Sequence, residues 1–438
     1  MSVMLMTRLG ITRSFSLLTD GALSGLILLC LVAMPVIVAA QEVVDSHAFL
    51  QEHKPATQPP TVEAPAQVQE LLAQMTLKEK VGQMTQLELS MVADGKGPDI
   101  QINPDKLRKA VVEYGVGSLL NVFDETLTIE RWHDILGQVQ AMAAESRLKV
   151  PVLYGIDSIH GANYITGATL FPQPLGMAST WNPELMLEGS RITAAETRAA
   201  GIPWNFSPVL DIGRQPLWPR LYETFGEDAY LASVMGVASI RGYEGEDLAS
   251  PSTVAACMKH YIGYSYPTTG HDRTPALIPE VVLREHFLPS FRAAVEAGAH
   301  TVMVNSGEVN GIPGHANRYL LEDVLRGELG FEGLIVTDWE DIKKMVQIHR
   351  TAADEKAATK ESVLAGIDMS MVPSDYSFSD LLLELVEEGA VPESRIDESV
   401  RRILTLKHKL GLFQDPLLGV DSGLEVGSAE HRQAALES

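Results

Sequence analysis

The chain has 438 residues, long enough for one large barrel-type domain or two ordinary ones once a leader and a tail are set aside. Its composition, 45% hydrophobic, 6% aromatic and 21% charged, is that of a folded α/β enzyme and excludes a disordered or collagenous chain. A net charge of -23 argues against nucleic acid and anionic membrane surfaces, which call for clustered Lys and Arg, and a neutral substrate fits better.

In chain order, the first readable segment is an export signal. The stretch Ala22 to Ala40, ALSGLILLCLVAMPVIVAA, follows Arg8 and Arg13 and ends on Val38-Ala39-Ala40, a small-residue cleavage pattern that leaves Gln41 first. An uncleaved anchor is the rival reading, because the apolar run is nearly long enough to span a bilayer. Both readings export the rest of the chain, to a periplasmic, extracellular or lysosome-like compartment. Cys30 lies in the leader, so Cys257 has no partner and the mature chain has no internal disulfide. Residues 41–65 are polar and Pro-rich and read as a loose arm.

The folded part, predicted over 66–413, opens with Val68, Leu71, Leu72 and Met75 at helical spacing, followed by a capping box at Thr76 and Glu79. Short apolar runs then recur: MTQLEL from Met84, VGSLLNV from Val116, PVLYGID from Pro151, IPWNFSPVLD from Ile202, VAACMKHYIGY from Val254, TVMVNS from Thr301, GLIVTDW from Gly333 and GIDMSMVP from Gly366. Helical patterns separate them, such as the one Asn182-Pro183 opens and Gly201 closes, and the one from Pro279 to Gly298. Eight strands alternating with helices predict an α/β fold, a (β/α)8 TIM-type barrel.

Polar residues fall at the ends of these runs: Asp157, Asp211, Lys259 with His260, Asn305 with Ser306, and Asp338. In a barrel such positions share the C-terminal mouth, where active sites are built. Asp338 alone reads as a helix N-cap. Five strands aiming polar groups at one place are harder to explain by capping. A carboxylate at 338 held among Lys259, His260 and Arg220 would stay ionised, ready to act as a nucleophile or electrostatic stabiliser. Trp339 offers a face on which a sugar ring can stack, and Asp157 can accept two hydroxyl hydrogens. Other chemistries find little support: there is no GxGxxG, P-loop or HExxH, and His160, His260, His271 and His315 lack the short spacings of a zinc site. Asn205-Phe206-Ser207 matches a glycosylation acceptor but lies in a predicted strand, and Met369 to Met371 read as core.

Taken together, the Leu153 to Phe171 stretch, PLWPRLYETFGED from Pro216, MKHYIGYSYPTTGHDRTP from Met258, VNGIPGHANRYLLEDVLRGELGFEGLIVTDWEDI from Val309 and AGIDMSMVP from Ala365 resemble glycoside hydrolase family 3. Within it they are most similar to lysosomal-type β-glucosidases and exo-acting β-glucanases, in consistent order from about Val68 to Phe413. The resemblance implies retaining, exo-acting release of terminal non-reducing β-D-glucosyl residues from β-linked glucosides or oligosaccharides, with no metal or organic cofactor. By motif it makes Asp338 the catalytic nucleophile, and Asp157, Arg220, Lys259, His260 and Trp339 the residues that hold the glucosyl unit. Two departures bear on aglycone recognition: Pro219 precedes Arg220 where many members carry Gly, and Asn305-Ser306 replaces their Ala-Tyr or Ser-Tyr.

Two-domain members take a general acid/base Glu from an α/β sandwich that follows the barrel, and retaining chemistry sets the two carboxyl groups about 5 Å apart. Here 414–438 reads as a linker and the opening helix of that domain, capped by Ser428, with Ala434, Ala435 and Leu436 lacking a partner layer. The expectation is a fragment whose acid/base belongs to a missing second domain or a partner chain. Two alternatives stand beside it. One is a non-catalytic sugar-binding barrel. The other is a single-domain β-N-acetylglucosaminidase-like enzyme, which takes a His from a KHFPGHG-like loop; KHYIGYS puts Tyr264 at that place, with His271-Asp272 nearby.

Overall fold

The computed structural model describes residues 64–122 and 125–438, so the predicted leader and nearly all of the predicted arm lie outside the described residues. Each apolar run contains a strand: β1 Thr85–Glu88, β2 Ser118–Leu120, β3 Leu153–Ile156, β4 Trp204–Asn205, β5 Ala255–Tyr261, β6 Thr301–Val304, β7 Leu334–Val336 and β8 Ser370–Met371. Neighbours pair in parallel in chain order, and β8 pairs back onto β1. The last seam, between β7 and β8, is bridged from Val336 to Met369. The product is the closed (β/α)8 barrel that the alternation predicts. Strands covered on both faces read as continuous apolar runs, and those of β1, β2, β3 and β5 to β7 are buried throughout.

Local chemistry sets the helix ends as read from sequence. Thr76 and Glu79 form the reciprocal capping box of helix Leu77–Gln83. Asn182 accepts the Glu184 N–H ahead of helix Pro183–Ala199, and Gly201 follows its end at φ +88. Asn205 is buried in β4 and donates to the Ser158 carbonyl, so the glycosylation acceptor is inaccessible. Met369 is core, whereas Met371 also lines the cavity at the barrel mouth.

The β7–β8 seam carries unusual reinforcement. Asp368, fully buried, accepts from Arg326, Arg402, Ser399 and the Ile335 N–H at 2.7, 2.9, 2.9 and 3.0 Å. Burial raises its pKa, but the facing charges of Arg402, Arg326 and Arg395 outweigh that and hold it at about 2.

The arc of the barrel floor under β1, β2 and β3 is tied by Lys407, at the end of helix Glu393–Lys409. Its ammonium donates to Gln83 Oε1, Gly117 O and Pro151 O at 2.7, 2.8 and 2.8 Å, acceptors just ahead of β1, β2 and β3. None of these is charged, and burial alone pushes its pKa down to about 7.

After this helix the chain stays on the barrel. Arg198 Nη2 donates to Leu410 O, and Leu417 and Val426 pack against the core. Helix Ala429–Glu437 is capped by Ser428 as predicted and buries no residue of its own, with Leu436 81% exposed. It is fastened at its start, where the buried Glu196 carboxylate accepts the Gly427 N–H and lies 2.7 Å from His431 Nδ1. Among the described residues no helix is long and apolar enough to cross a membrane.

Replacing Lys407 with Met leaves three buried acceptors short of a donor and is expected to cost about 2–4 kcal/mol in denaturant unfolding. The sign of the pH dependence follows from the depressed pKa. From pH about 7 up to the ordinary lysine value near 10.5, the unfolded chain holds a proton that the folded chain lacks, so this group's contribution grows as pH rises. The stability gap between wild type and Lys407→Met should widen from pH 7 to pH 9, and a gap that narrows would contradict the lowered pKa of Lys407.

Candidate active site

Asp338 sits where β7 turns sharply into helix Asp341–Gln347. Thr337 N–H donates to Met369 O at 3.0 Å, Thr337 Oγ1 accepts the Met371 N–H at 2.8 Å, and Glu340 N–H donates to Met371 O at 3.1 Å. The backbone on both sides of Asp338 is thus pinned to β8. The helix is not capped by Asp338: its N-cap is Glu340, at φ +56, and its side chain makes no cap bond. Asp338 Oδ1 instead accepts the Trp339 N–H at 2.6 Å, while Oδ2 is buried without a hydrogen-bond partner. A buried, unsatisfied carboxylate oxygen costs stability and is kept where it has chemistry to do.

All six predicted site residues, Asp157, Arg220, Lys259, His260, Asp338 and Trp339, line one cavity of ≈ 380 Å³ at the barrel mouth. That volume is within the range of small-ligand sites. Trp339 is 37% exposed and lends a ring to the cavity wall.

The charges pair differently from the sequence expectation. Lys259 does not serve Asp338; its ammonium donates to Asp157 Oδ1 at 2.6 Å, and Asn121 Nδ2 donates to Asp157 Oδ2 at 3.2 Å. Arg220 forks onto Glu223 at 2.8 and 2.7 Å, a bidentate pair that fixes the guanidinium plane. The groups facing Asp338 Oδ2 are His260 Nε2 and Arg273 Nη2, both at 3.9 Å.

Burial would raise the pKa of Asp338, but the imidazole of His260, the guanidiniums of Arg273 and Arg220 and the Trp339 N–H together hold it well below the usual carboxylate range. His260 is itself pushed well below its ordinary value, by burial first and then by Arg220. The permanent counter-charge for Asp338 is that of the two arginines. Behind the ring, Asp211 Oδ2 accepts the His260 N–H at 3.0 Å and lies 2.7 Å from Nδ1. Burial lifts the pKa of this carboxyl to about 7.

Two strand-end predictions need correction. Asn305 and Ser306 do not line the cavity. Asn305 accepts the Gly307 N–H and donates to Ile262 O, and Ser306 donates to the buried Asp341, so both brace loops behind the site. Asp211 reaches the mouth only through His260. Conversely, Asn121, Glu223 and Arg273 line the cavity without having been predicted. Asn121 had the same signal as Asp157, a polar residue directly after an apolar run. Glu223 was detectable as a carboxylate three residues from Arg220. Arg273 lies in a loop and carried no such signal. Among the described residues no group of three or more His, Cys, Asp or Glu is arranged to hold a metal ion.

A neutral ligand bearing several hydroxyls suits this cavity, with carboxylates to accept, cations to donate and an aromatic face to stack on. Residues 76–406 match the model of the glycosyl hydrolase family 3 N terminal domain. The chain is 48% identical over 386 residues to the lysosomal beta glucosidase of Dictyostelium discoideum, covering 84% of this chain and 47% of that protein. It is 33% identical over 419 residues to the periplasmic beta-glucosidase of Salmonella typhimurium, covering 93% of this chain and 50% of that protein. Its fold matches the crystal structure of a beta-glucosidase from Listeria innocua in complex with glucose, with a TM-score of 0.75 and 33% identity over 84% of this chain and 50% of that one. The chain thus spans about half the length of the curated relatives it matches. On the matched model, the ordered motifs and the barrel that carries them, it belongs to glycoside hydrolase family 3.

Proposed function

We propose that the chain is the glycosyl-accepting barrel of a retaining, exo-acting β-glucosidase that removes terminal non-reducing β-D-glucosyl residues from oligosaccharides or glucosides. The observation that carries this reading is the state of Asp338: ionised, buried, lining the cavity, and with one oxygen that has no hydrogen-bond partner. Its Oδ2 attacks the anomeric carbon, the leaving-group oxygen departs with a proton, and water later releases the sugar with its configuration kept. Asp157 and Lys259, already paired, offer one acceptor and one donor to adjacent ring hydroxyls. Arg220, His260 and Trp339 complete the grip on the glucosyl unit. No step in this scheme calls for a metal or organic cofactor.

A proton donor must come from elsewhere. Among the described residues, Asp157 and Glu223 are the other carboxylates lining the cavity, and each is bound to its own cation. We assign the acid/base to a Glu brought by a second domain or a partner chain. In this arrangement 66–413 is the catalytic barrel, 414–438 a linker and the first helix of the next domain, 1–40 an export leader and 41–65 an arm. Export to a periplasmic, extracellular or lysosome-like space agrees with the relatives named as lysosomal and periplasmic. The single-domain acetylglucosaminidase reading is disfavoured because Asp272 is bound to Trp218 and Arg273 rather than to His271.

General acid help is worth about a hundredfold to ten-thousandfold, so this chain by itself should barely cleave cellobiose. A dinitrophenyl β-glucoside needs no proton on its leaving group and should still give a burst of dinitrophenolate, leaving one hexosyl unit on Asp338 by peptide mass spectrometry. Asp338→Ala should lose both burst and label. Binding of glucose with no label would instead mark a non-catalytic sugar-binding barrel, and a label on another residue would remove Asp338 from its role.

The pH profile of that burst offers a separate check. Because Asp338 is held well below the usual carboxylate range, the burst rate should stay level as pH falls from about 7 to about 4, where an ordinary carboxylate would be half protonated. A decline centred between pH 5 and pH 6 would contradict the ionisation derived for Asp338.

A further inference from the structure

Two lysines follow one another on the helix Asp341–Gln347 that leaves Asp338, and they bond differently. Lys343 reaches out to Asp375, on the loop after β8. Lys344 folds back to the turn: its ammonium donates to the backbone carbonyl of Trp339 and, at 2.7 Å, to Asp341 Oδ1. That carbonyl lies ahead of the helix N-cap, Glu340, and has no place in the helical ladder.

The placement of Lys344 runs against two ordinary tendencies. A cation at the start of a helix opposes the helix dipole, and a lysine head left to itself reaches for water, yet this side chain is only 12% exposed. Asp341 holds it there. The Asp341 carboxylate is buried and accepts Ser306 Oγ on its other oxygen at 2.5 Å. His315 Nε2 stands 3.6 Å from that same oxygen, beyond hydrogen-bond distance. Ser306 comes from the loop after β6, so a run of contacts from Ser306 through Asp341 and Lys344 to the Trp339 carbonyl links one strand end to the next.

The peptide between Trp339 and Glu340 is thereby clamped at both ends. Its N–H, on Glu340, donates to Met371 O at 3.1 Å, and its carbonyl accepts from Lys344. Glu340 is left-handed at φ +56, so the chain turns sharply directly after Trp339, and the plane of this peptide helps set where the indole points. Trp339 lines the cavity and is partly exposed, so packing alone does not fix its ring. Asp338 is held by the preceding peptide instead, whose N–H reaches Oδ1 at 2.6 Å. Lys344 itself is not among the residues that line the cavity. Resting on the reading of the cavity as the glucosyl site, we propose that Lys344 is a positioning residue. By holding the Trp339 carbonyl it sets the angle at which the indole meets the sugar ring, and Asp341 and Ser306 keep the lysine in place.

One readout needs no ligand. In protein labelled with 5-fluorotryptophan, the fluorine resonance missing from Trp339→Phe belongs to Trp339. Lys344→Met should shift or broaden that resonance and leave those of the buried Trp132, Trp204 and Trp218 in place. Lys344→Arg, which can still donate to both acceptors, should bring it back toward wild type, and Lys343→Met should leave it unmoved. An unmoved Trp339 resonance in Lys344→Met, or movement of every tryptophan together, would overturn the proposal. The other readout is kinetic. A ring that only grips the sugar holds ground state and transition state alike. With dinitrophenyl β-glucoside, Lys344→Met should therefore raise the half-saturating concentration by about threefold to tenfold, the ordinary worth of one hydrogen bond, with the saturating burst rate within about twofold of wild type. On a Trp339→Ala background the same substitution should change nothing further. A fall in the saturating burst rate alone, or an undiminished effect on that background, would show that Lys344 acts through Asp338 and would overturn the proposal. If wild type gives no burst, the nucleophile reading has failed, and calorimetric titration with glucose replaces it: binding weakened by the same factor supports the role of Lys344, and unchanged binding overturns it. If glucose does not bind at all, the reading of the cavity as a glucosyl site has failed, and the fluorine spectrum still decides whether Lys344 holds the indole.

Discussion

The site depends on how the barrel closes between β7 and β8. This is the one seam whose pairing is reduced to a single bridge, from Val336 to Met369, and it is also where the carboxylate at the heart of the cavity is presented. Below the bridge, Asp368 gathers three arginines and the Ile335 N–H. Above it, Thr337 and Glu340 bond to Met369 and Met371 on either side of Asp338. A slip at the seam would move Asp338 directly, because no other element fixes its backbone so closely. A charge-assisted network at the base of β8 thus acts on the placement of Asp338 several residues away, through a backbone with little freedom between them.

Electrostatic pairing then distributes the roles within the cavity. Asp157 and Glu223 are bound to Lys259 and Arg220, and Asp338 has arginines near but not touching it. The bound carboxylates are fixed in space and can serve as acceptors for hydroxyls. The unbound one keeps its lone pairs. Had Lys259 bridged to Asp338, as charge counting along the chain suggested, the unbonded oxygen would be tied up. Pairing Lys259 with Asp157 instead leaves Oδ2 unbonded, and Arg273 and Arg220 supply the positive field at Asp338.

Most of the fold was legible because parallel barrel strands are buried on both faces and so appear as apolar runs, and because caps such as Thr76 with Glu79 and Asn182 with Pro183 are local in sequence. Five of the six cavity residues were legible for a related reason: in a barrel the end of a strand is a place, so a polar residue there has a known address, whereas Arg220 lies on the loop after β4 and was found through its PLWPR motif. The same rule misplaced Asn305 and Ser306, since the residues directly after β6 turn back to hold the loops and reach Ile262 and Asp341. It could not find Arg273 at all. That residue is brought to Asp338 by a loop whose course is set by Trp218, Asp272 and Tyr264, contacts between segments that no local pattern encodes.

The barrel mouth is asymmetric in a chemically meaningful way. It presents one unbonded carboxylate oxygen, donors, acceptors and an aromatic face, and among the described residues the other carboxylates that line it are each paired with a cation. A retaining glycosidase needs that second carboxyl on the opposite side of the scissile bond from the nucleophile. Asp338 stands at the β7–β8 seam inside the cavity at the barrel mouth. On the proposed reading of Asp338 as nucleophile the division of labour is spatial: the rigid barrel would fix the sugar and the attacking oxygen, and a proton donor would come from the open rim, where whatever covers it also meets the aglycone.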